Sequence, residues 1–252
     1  MKRQSRPPGT DVAAMKWRAD ELLARLAGLP APGTRGAPEA PGLAGPGLAG
    51  PEPVAGESAA GPLRGDHDLN PELNPQVYDP GRPLRDAAVL VPIIDRPRGL
   101  TVLLTRRSKD LPDHPGQISF PGGGIDPGDA DAEAAALREA HEEVGLAPRH
   151  VSVIGRLDTY LVRTGFSVVP VVALLHPPFD LRAEAGEVDE IFEVPLGFFL
   201  DPASRVLHSR VFRGAERFFY AYPYGDYYIW GATAGILSNL SEVLRAADLM
   251  DS

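Results

Sequence analysis

Residues 122–146 read GGGIDPGDADAEAAALREAHEEVGL, and the two halves of this stretch ask for different backbones. Pro121-Gly122-Gly123-Gly124 and Pro127-Gly128 predict a loop in which backbone groups can come very close to a ligand. Asp131 is then a natural N-cap, residues 132–137 are mostly strong helix formers, and Gly145 is a natural stop. On the helix so defined, Glu139, Glu142 and Glu143 stand at i, i+3 and i+4, which puts three carboxylates on one face. Exposed like charges at that spacing repel by a few tenths of a kcal/mol per pair. A divalent cation relieves the repulsion, and hard oxygen ligands suit Mg²⁺ or Mn²⁺. A plain solvated acidic face is the competing reading of the same residues.

The wider pattern decides between them. Gly124, Arg138, Glu139, Glu142, Glu143, Gly145 and Leu146 resemble the Nudix box, which runs G, five residues, E, seven residues, REU, one residue, EE, one residue, GU, with U aliphatic. Two positions depart from it: Ala130 stands where the box has a glutamate, with Asp129 beside it, and Ala140 stands where a larger aliphatic residue is common. Upstream, Leu103-Leu104-Thr105-Arg106-Arg107-Ser108 and then His114-Pro115-Gly116-Gln117 and Phe120-Pro121-Gly122-Gly123 are similar to the LLTxRS and HxGQxxFPGG signature of the coenzyme A pyrophosphatase branch. Pro112 replaces a basic residue often found there. Downstream, 187–196 and 229–237 look like the same branch, so the resemblance covers about residues 68–245.

That resemblance implies an α/β/α sandwich with a mixed sheet, a Mg²⁺ or Mn²⁺ cofactor, and hydrolysis of the pyrophosphate bond of coenzyme A or acyl-CoA. The products would be 3′,5′-ADP and 4′-phosphopantetheine or its acyl form. It makes Glu139, Glu142 and Glu143 the metal ligands and, with Arg138 and Glu187, the catalytic set. Arg138 faces another side of the helix and would brace the loop or orient a ligand glutamate, with Asp129 standing in for the missing glutamate. Substrate binding would fall to Arg107, His114, Gln117, Gly122 and Gly123. The general base is Glu139 or an acidic residue of the 184–190 loop, with Glu187 and Glu190 foremost. Late aromatics, Phe212 to Tyr228, could stack on adenine or could be core. Two alternatives stay open: another nucleoside-diphosphate substrate such as ADP-ribose, and a catalytically silent binding domain.

Composition bounds the rest. The chain has 252 residues and 43% apolar content, which suits one domain of about 170 to 180 residues with extra segments. It has no cysteine, so it has neither disulfides nor a thiolate zinc site, as befits a reducing cytoplasm. A net charge of −9 argues against nucleic acid as partner and requires local cations wherever a polyanion binds. No run of apolar residues is long enough to span a membrane.

The chain divides into three. In the tail, 1–30, Val12, Met15, Ala19, Leu22, Leu26 and Leu29 form the apolar stripe of a helix that would dock on this domain or on a sister chain in a homodimer. Residues 31–67 read as a linker, because 31–62 holds 8 Gly and 7 Pro, including the tandem PGLAG, and cannot build a core. Residues 68–252 are the expected hydrolase domain. Strands are expected at 86–94, 100–106, 151–162, 166–175, 191–194, 206–212 and 217–222, and a final helix over 229–247.

Overall fold

The computed structural model describes residues 18–27, 64–65, 67–70, 84–212 and 214–246. Val12, Met15, Leu29 and the Gly/Pro-rich stretch 31–62 lie outside the described residues. The elements, in chain order, are α1 (Ala19–Ala27), β1 (Arg64–Gly65), β2 (Arg85–Arg96), β3 (Gly99–Arg107), β4 (Ile118–Ser119), β5 (Gly122–Gly124), α2 (Ala132–Val144), β6 (Val151–Arg156), β7 (Tyr160–Val162), β8 (Phe166–Leu175), β9 (Val188–Pro195), α3 (Leu196–Leu200), β10 (Val206–Phe212), β11 (Ala215–Tyr224), β12 (Tyr227–Trp230) and α4 (Ala232–Ala246).

Strand β2 is the axis of the fold. Its residues 87–94 are almost all buried because both faces of the sheet are covered there. It pairs in parallel with β8, from Arg85 opposite Phe166 to Ile94 opposite Leu175, and antiparallel with β3 and β5. The main sheet runs β1-β7-β8-β2-β3-β4, with β5 on β2, β6 on β8 and β9 on β3. Pro92 and Pro170 sit inside this sheet without breaking it. Pro92 falls between the pairings of β2 with β5 and with β3, and Pro170 between those of β8 with β7 and with β6. A missing N–H costs least where one neighbour ends and the next begins.

Alternate residues of β2 feed two cores. Ala88, Leu90 and Ile94 pack with Leu103, Val171, Ala173 and Leu175 under α2, whose Ala132, Ala135, Ala136 and Ala140 let the helix lie close to the sheet. Ala87, Val91 and Ile93 face the other way, with Val102, Leu104 and Tyr222, under α3, α4 and the three-stranded sheet β10-β11-β12. Each large side chain so buried contributes about 1.5–3 kcal/mol. The result is the expected mixed sheet between helical layers. Helix α1 joins the second core: Leu22 is fully buried there and Ala19 and Leu26 pack around it.

Several boundaries differ from the sequence reading. The stretch 151–162 is two strands, not one, because the chain turns at Leu157-Asp158-Thr159 to carry pairing from β6 to β7. Ile229 belongs to β12 and not to the last helix, which starts at Ala232. Gly122–Gly124 is a strand where a loop is expected. It lies so near β2 that a Cβ on Gly122 would sit 2.4 Å from the Ala88 carbonyl oxygen. Arg64–Gly65 falls within the stretch read as linker, yet it adds a parallel strand beside β7. Arg64 is held there by Asp158, whose side chain is fully buried, at 3.3 Å, and by Glu242 of α4 at 2.8 Å.

Gly122→Ala should therefore push β5 off β2. We expect a loss of about 2 kcal/mol or more in denaturant unfolding, against a few tenths for Gly128→Ala, where a Cβ meets nothing within 4 Å.

Candidate active site

The acidic helix starts and stops where its sequence dictates. The Asp131 side chain accepts from the Ala134 N–H, and Gly145 closes the helix in the left-handed region at φ 69° with its N–H on the last turn. The three glutamates then meet different surroundings. Glu143 is 5% exposed, faces β5, and accepts from the Gly122 N–H at 3.2 Å. Glu139 lies against Gly123, where a Cβ would come within 2.6 Å of its carboxyl carbon. Glu142 is exposed. They share one side of α2 but do not converge on a point; among the described residues no group of three acidic or histidine side chains is closed up as a metal cage.

Arg138 explains the spread. It is expected on another side of the helix, but its long side chain curls back over the carboxylates. Nη1 donates to Glu139 at 2.8 Å and to Glu142 at 3.1 Å, while Nη2 donates to the Gly124 carbonyl at 3.1 Å. Nε and Nη2 both reach Asp129, at 3.0 and 2.9 Å. Asp129 also accepts from the Asp126 N–H, and these bonds, Arg138's first, hold its carboxyl below the ordinary range. Asp129 thus ties the loop to the helix from the position next to Ala130.

Glu143 is poorly compensated. Burial pushes its carboxyl up to about 7; the Gly122 N–H and Arg107 oppose the shift, and Glu139 and Glu187 add to it. Arg107 stops 3.9 Å from Glu143, and its buried Nε has no hydrogen-bond partner among the described residues. Burial also raises Glu139, against the pull of Arg138 and with help from Glu142 and Glu187. Buried carboxylates that crowd one another and hold too little positive charge nearby suit a dication.

The surrounding loops sort the remaining residues. Glu187 is exposed and close enough to raise both Glu139 and Glu143. Its segment is pinned by its own carbonyl, which accepts from the Ser108 N–H, and by Glu184 N–H on the Glu143 carbonyl. Glu190 faces the opposite side of the sheet, between Arg106 at 3.3 Å and the Tyr227 hydroxyl at 2.7 Å. His114 is exposed, with φ 56°, and its carbonyl accepts from the Gln117 N–H. The Gln117 amide lies toward Gly231, ahead of α4, and not toward the carboxylates. Of the aromatics, Tyr222 is core and Tyr227 stacks on Phe192 at 3.9 Å; the side chain of Phe212 lies outside the described residues. Asp129 was legible only as a substitute for Ala130. The bond from Arg138 to Glu142 follows from their i, i+4 spacing, while its simultaneous hold on Glu139, Gly124 and Asp129 had no such signal.

A glycine strand and an acidic helix are thus joined by an arginine on one face of the mixed sheet. The NUDIX domain family model matches residues 84–200. The uncharacterized Nudix hydrolase NudL of Escherichia coli (strain K12) is 44% identical over 174 residues, 69% of this chain and 88% of that one. NudL of Photorhabdus laumondii is also 44% identical, over 64% of this chain and 86% of its own. An Ap4A hydrolase of C. elegans aligns structurally over 67% of this chain and all of its own, at 20% identity and a TM-score of 0.41. The chain belongs to the Nudix hydrolase family and is a pyrophosphohydrolase. Enzymes of this family generally use divalent metal ions. Among the described residues no helix is long and apolar enough to cross a membrane.

The raised carboxyl makes Glu143 a liability without metal. Between its ordinary value near 4.5 and about 7 the folded chain binds the extra proton, so this group's contribution to stability falls as pH rises through that window. Glu143→Gln keeps an acceptor for Gly122 and removes the charge. In chelator at pH 8 it should unfold later than the parent, by on the order of 1–3 kcal/mol, and at pH 4.5 the gap should close. Equal midpoints at both pH values would contradict this environment for Glu143.

Proposed function

We propose that the chain hydrolyses the pyrophosphate bond of coenzyme A and its acyl derivatives, releasing 3′,5′-ADP and 4′-phosphopantetheine or its acyl form. One observation carries the site assignment: an under-compensated buried Glu143, flanked by Glu139, Glu142 and Glu187, faces Arg107, whose Nε has no partner among the described residues. The substrate assignment rests on the 103–108 and 114–123 signatures.

Glu139, Glu142 and Glu143 would hold Mg²⁺ or Mn²⁺ once Arg138 gives up its bonds to the first two. Such an ion neutralises phosphoryl oxygens and lowers the pKa of bound water. Arg107 would offer its guanidinium to a substrate phosphate, a planar and charge-assisted match. Gly122 and Gly123 let the diphosphate lie against backbone. Glu187 accepts the proton of the attacking water. The water oxygen bonds to one phosphorus, the bridging P–O bond breaks, and the leaving phosphate keeps the bond's electrons. Glu190 is set aside as base because Arg106 and Tyr227 hold it on the other face. His114 and Gln117 would shape the loop that bonds back to Arg107 at the end of β3 and would not touch the diphosphate. The division of the chain follows the sequence reading, with the hydrolase domain begun at residue 64 to include β1. We place the chain in the cytoplasm.

Mass spectrometry of products from coenzyme A, acyl-CoA and ADP-ribose with Mn²⁺ tests the substrate. Coenzyme A left intact while ADP-ribose is split would end this assignment in favour of the alternative substrate. Glu187→Gln should lower kcat by about 10²–10⁴ while Mn²⁺ binding by calorimetry is kept. Turnover near the parent's would remove Glu187 as base.

A further inference from the structure

Strand β10 is the outer strand of the small sheet, and among the described residues its far edge pairs with nothing. Apart from Arg210 it has few of the usual protections of an edge strand. It runs for seven residues, VLHSRVF, without proline or lysine and in unbroken register with β11. Leu207 is 53% exposed and Val211 69%, and Phe218, across from Ser209 on β11, is 39% exposed. All three lie on one face, because Leu207, Ser209 and Val211 alternate with the others and Phe218 pairs with Ser209. Further along this face Tyr220 and Tyr222 enter the core, so the apolar trio overhangs the domain. On the other face His208, Phe219, Tyr228 and Trp230 pack ring on ring at 5.6–6.1 Å, with Tyr228 and Trp230 still 41% and 37% exposed.

The direction of the free backbone groups follows from Asn70. Its Nδ2 donates to the Phe218 carbonyl at 2.9 Å, and its Oδ1 accepts from the Phe218 N–H at 2.7 Å. Both groups of Phe218 therefore turn away from β10. In an antiparallel ladder the residue opposite does likewise, so Ser209 aims its N–H and C=O outward, as do Leu207 and Val211 two residues either side.

We infer that the edge of β10 is the interface for a second copy of this chain, paired antiparallel about a two-fold axis at Ser209. That register puts Ser209 opposite Ser209 of the second copy, and Leu207 of each copy opposite Val211 of the other. All three are pairs whose N–H and C=O point at each other, giving about six backbone hydrogen bonds. The two most exposed apolar side chains of the strand cover each other twice, with Phe218 of each copy beside them. Such self-complementarity about a central residue is what a two-fold interface requires. Moving the axis to His208 or Arg210 puts Leu207 or Val211 opposite Ser209 and loses the match. The joined sheets form one six-stranded sheet by strand addition. On the other face His208 of each copy meets Arg210 of the other.

The chain has no cysteine, so Ser209→Cys introduces a single thiol on the axis. Mild oxidation should cross-link that variant into a dimer nearly completely, because paired Cα atoms about 5.5 Å apart suit a disulfide. Arg210→Cys, off the axis, should cross-link far less. Light scattering on the full chain should give twice 26.9 kDa, and the double variant Leu207→Lys, Val211→Lys should raise the dissociation constant by about a hundredfold or more, with its circular dichroism unchanged. A monomer at all concentrations, or a dimer that neither cross-links at 209 nor responds to the lysines, overturns the inference. So does a monomer whose β10 amides resist hydrogen exchange, which would mean that the chain covers the edge itself.

Discussion

The contact on which the site depends is backbone against backbone: β5 lies on β2 so closely that Gly122 has no room for a side chain. That approach brings the Gly122 N–H to Glu143, and with it the whole acidic face of α2 to the glycine strand. A bulkier residue there would lift β5, free the loop and leave Glu143 buried with no donor. Arg138 completes the coupling from the loop side through Gly124 and Asp129. Loop and helix behave as one unit because two anchors, one a backbone amide and one a guanidinium, hold them at opposite ends.

The same geometry sets the electrostatics. Close packing of α2 removes water from Glu143 and Glu139, and Arg107 is too far away to restore balance. The site stores an imbalance of charge that a dication and a polyanionic substrate together can correct. Arg138 holds two of the carboxylates meanwhile and offsets part of their mutual repulsion.

Much of this was legible in the chain, and the failures have physical causes. Asp131 and Gly145 mark α2 because caps act locally. The i, i+3, i+4 glutamates lie on one side because helix geometry fixes side-chain direction, but Arg138 keeps them from converging, and its reach to the loop at Asp129 and Gly124 is reported by no helical period. Strand β5 was hidden because three glycines carry no strand propensity; only the closeness of β2 makes them one. The break between β6 and β7 was hidden because Val151, Val153, Ile154, Tyr160, Leu161 and Val162 make the stretch rich in strand formers on both sides of Asp158-Thr159. Glu187 and Glu190 were equivalent in sequence; Glu190 lies inside β9 opposite Arg106, whereas Glu187 belongs to the turn just before the strand, and that separates them. Composition marks 31–62 as unable to form a core, but it cannot say where the next strand begins.

That beginning matters beyond topology. Arg64 supplies the only ion pair found for Asp158 among the described residues, and Asp158 has a second carboxylate oxygen, Oδ1, that is buried without a partner. A chain trimmed to residue 68 would keep every group named for chemistry and lose this cation. Asp158 would then rest on Asn239 alone. A buried anion stripped of its counterion typically weakens a fold by about 3–5 kcal/mol. The ragged-looking approach to the domain is therefore part of its foundation, and trimming there would weaken the scaffold beneath an intact site.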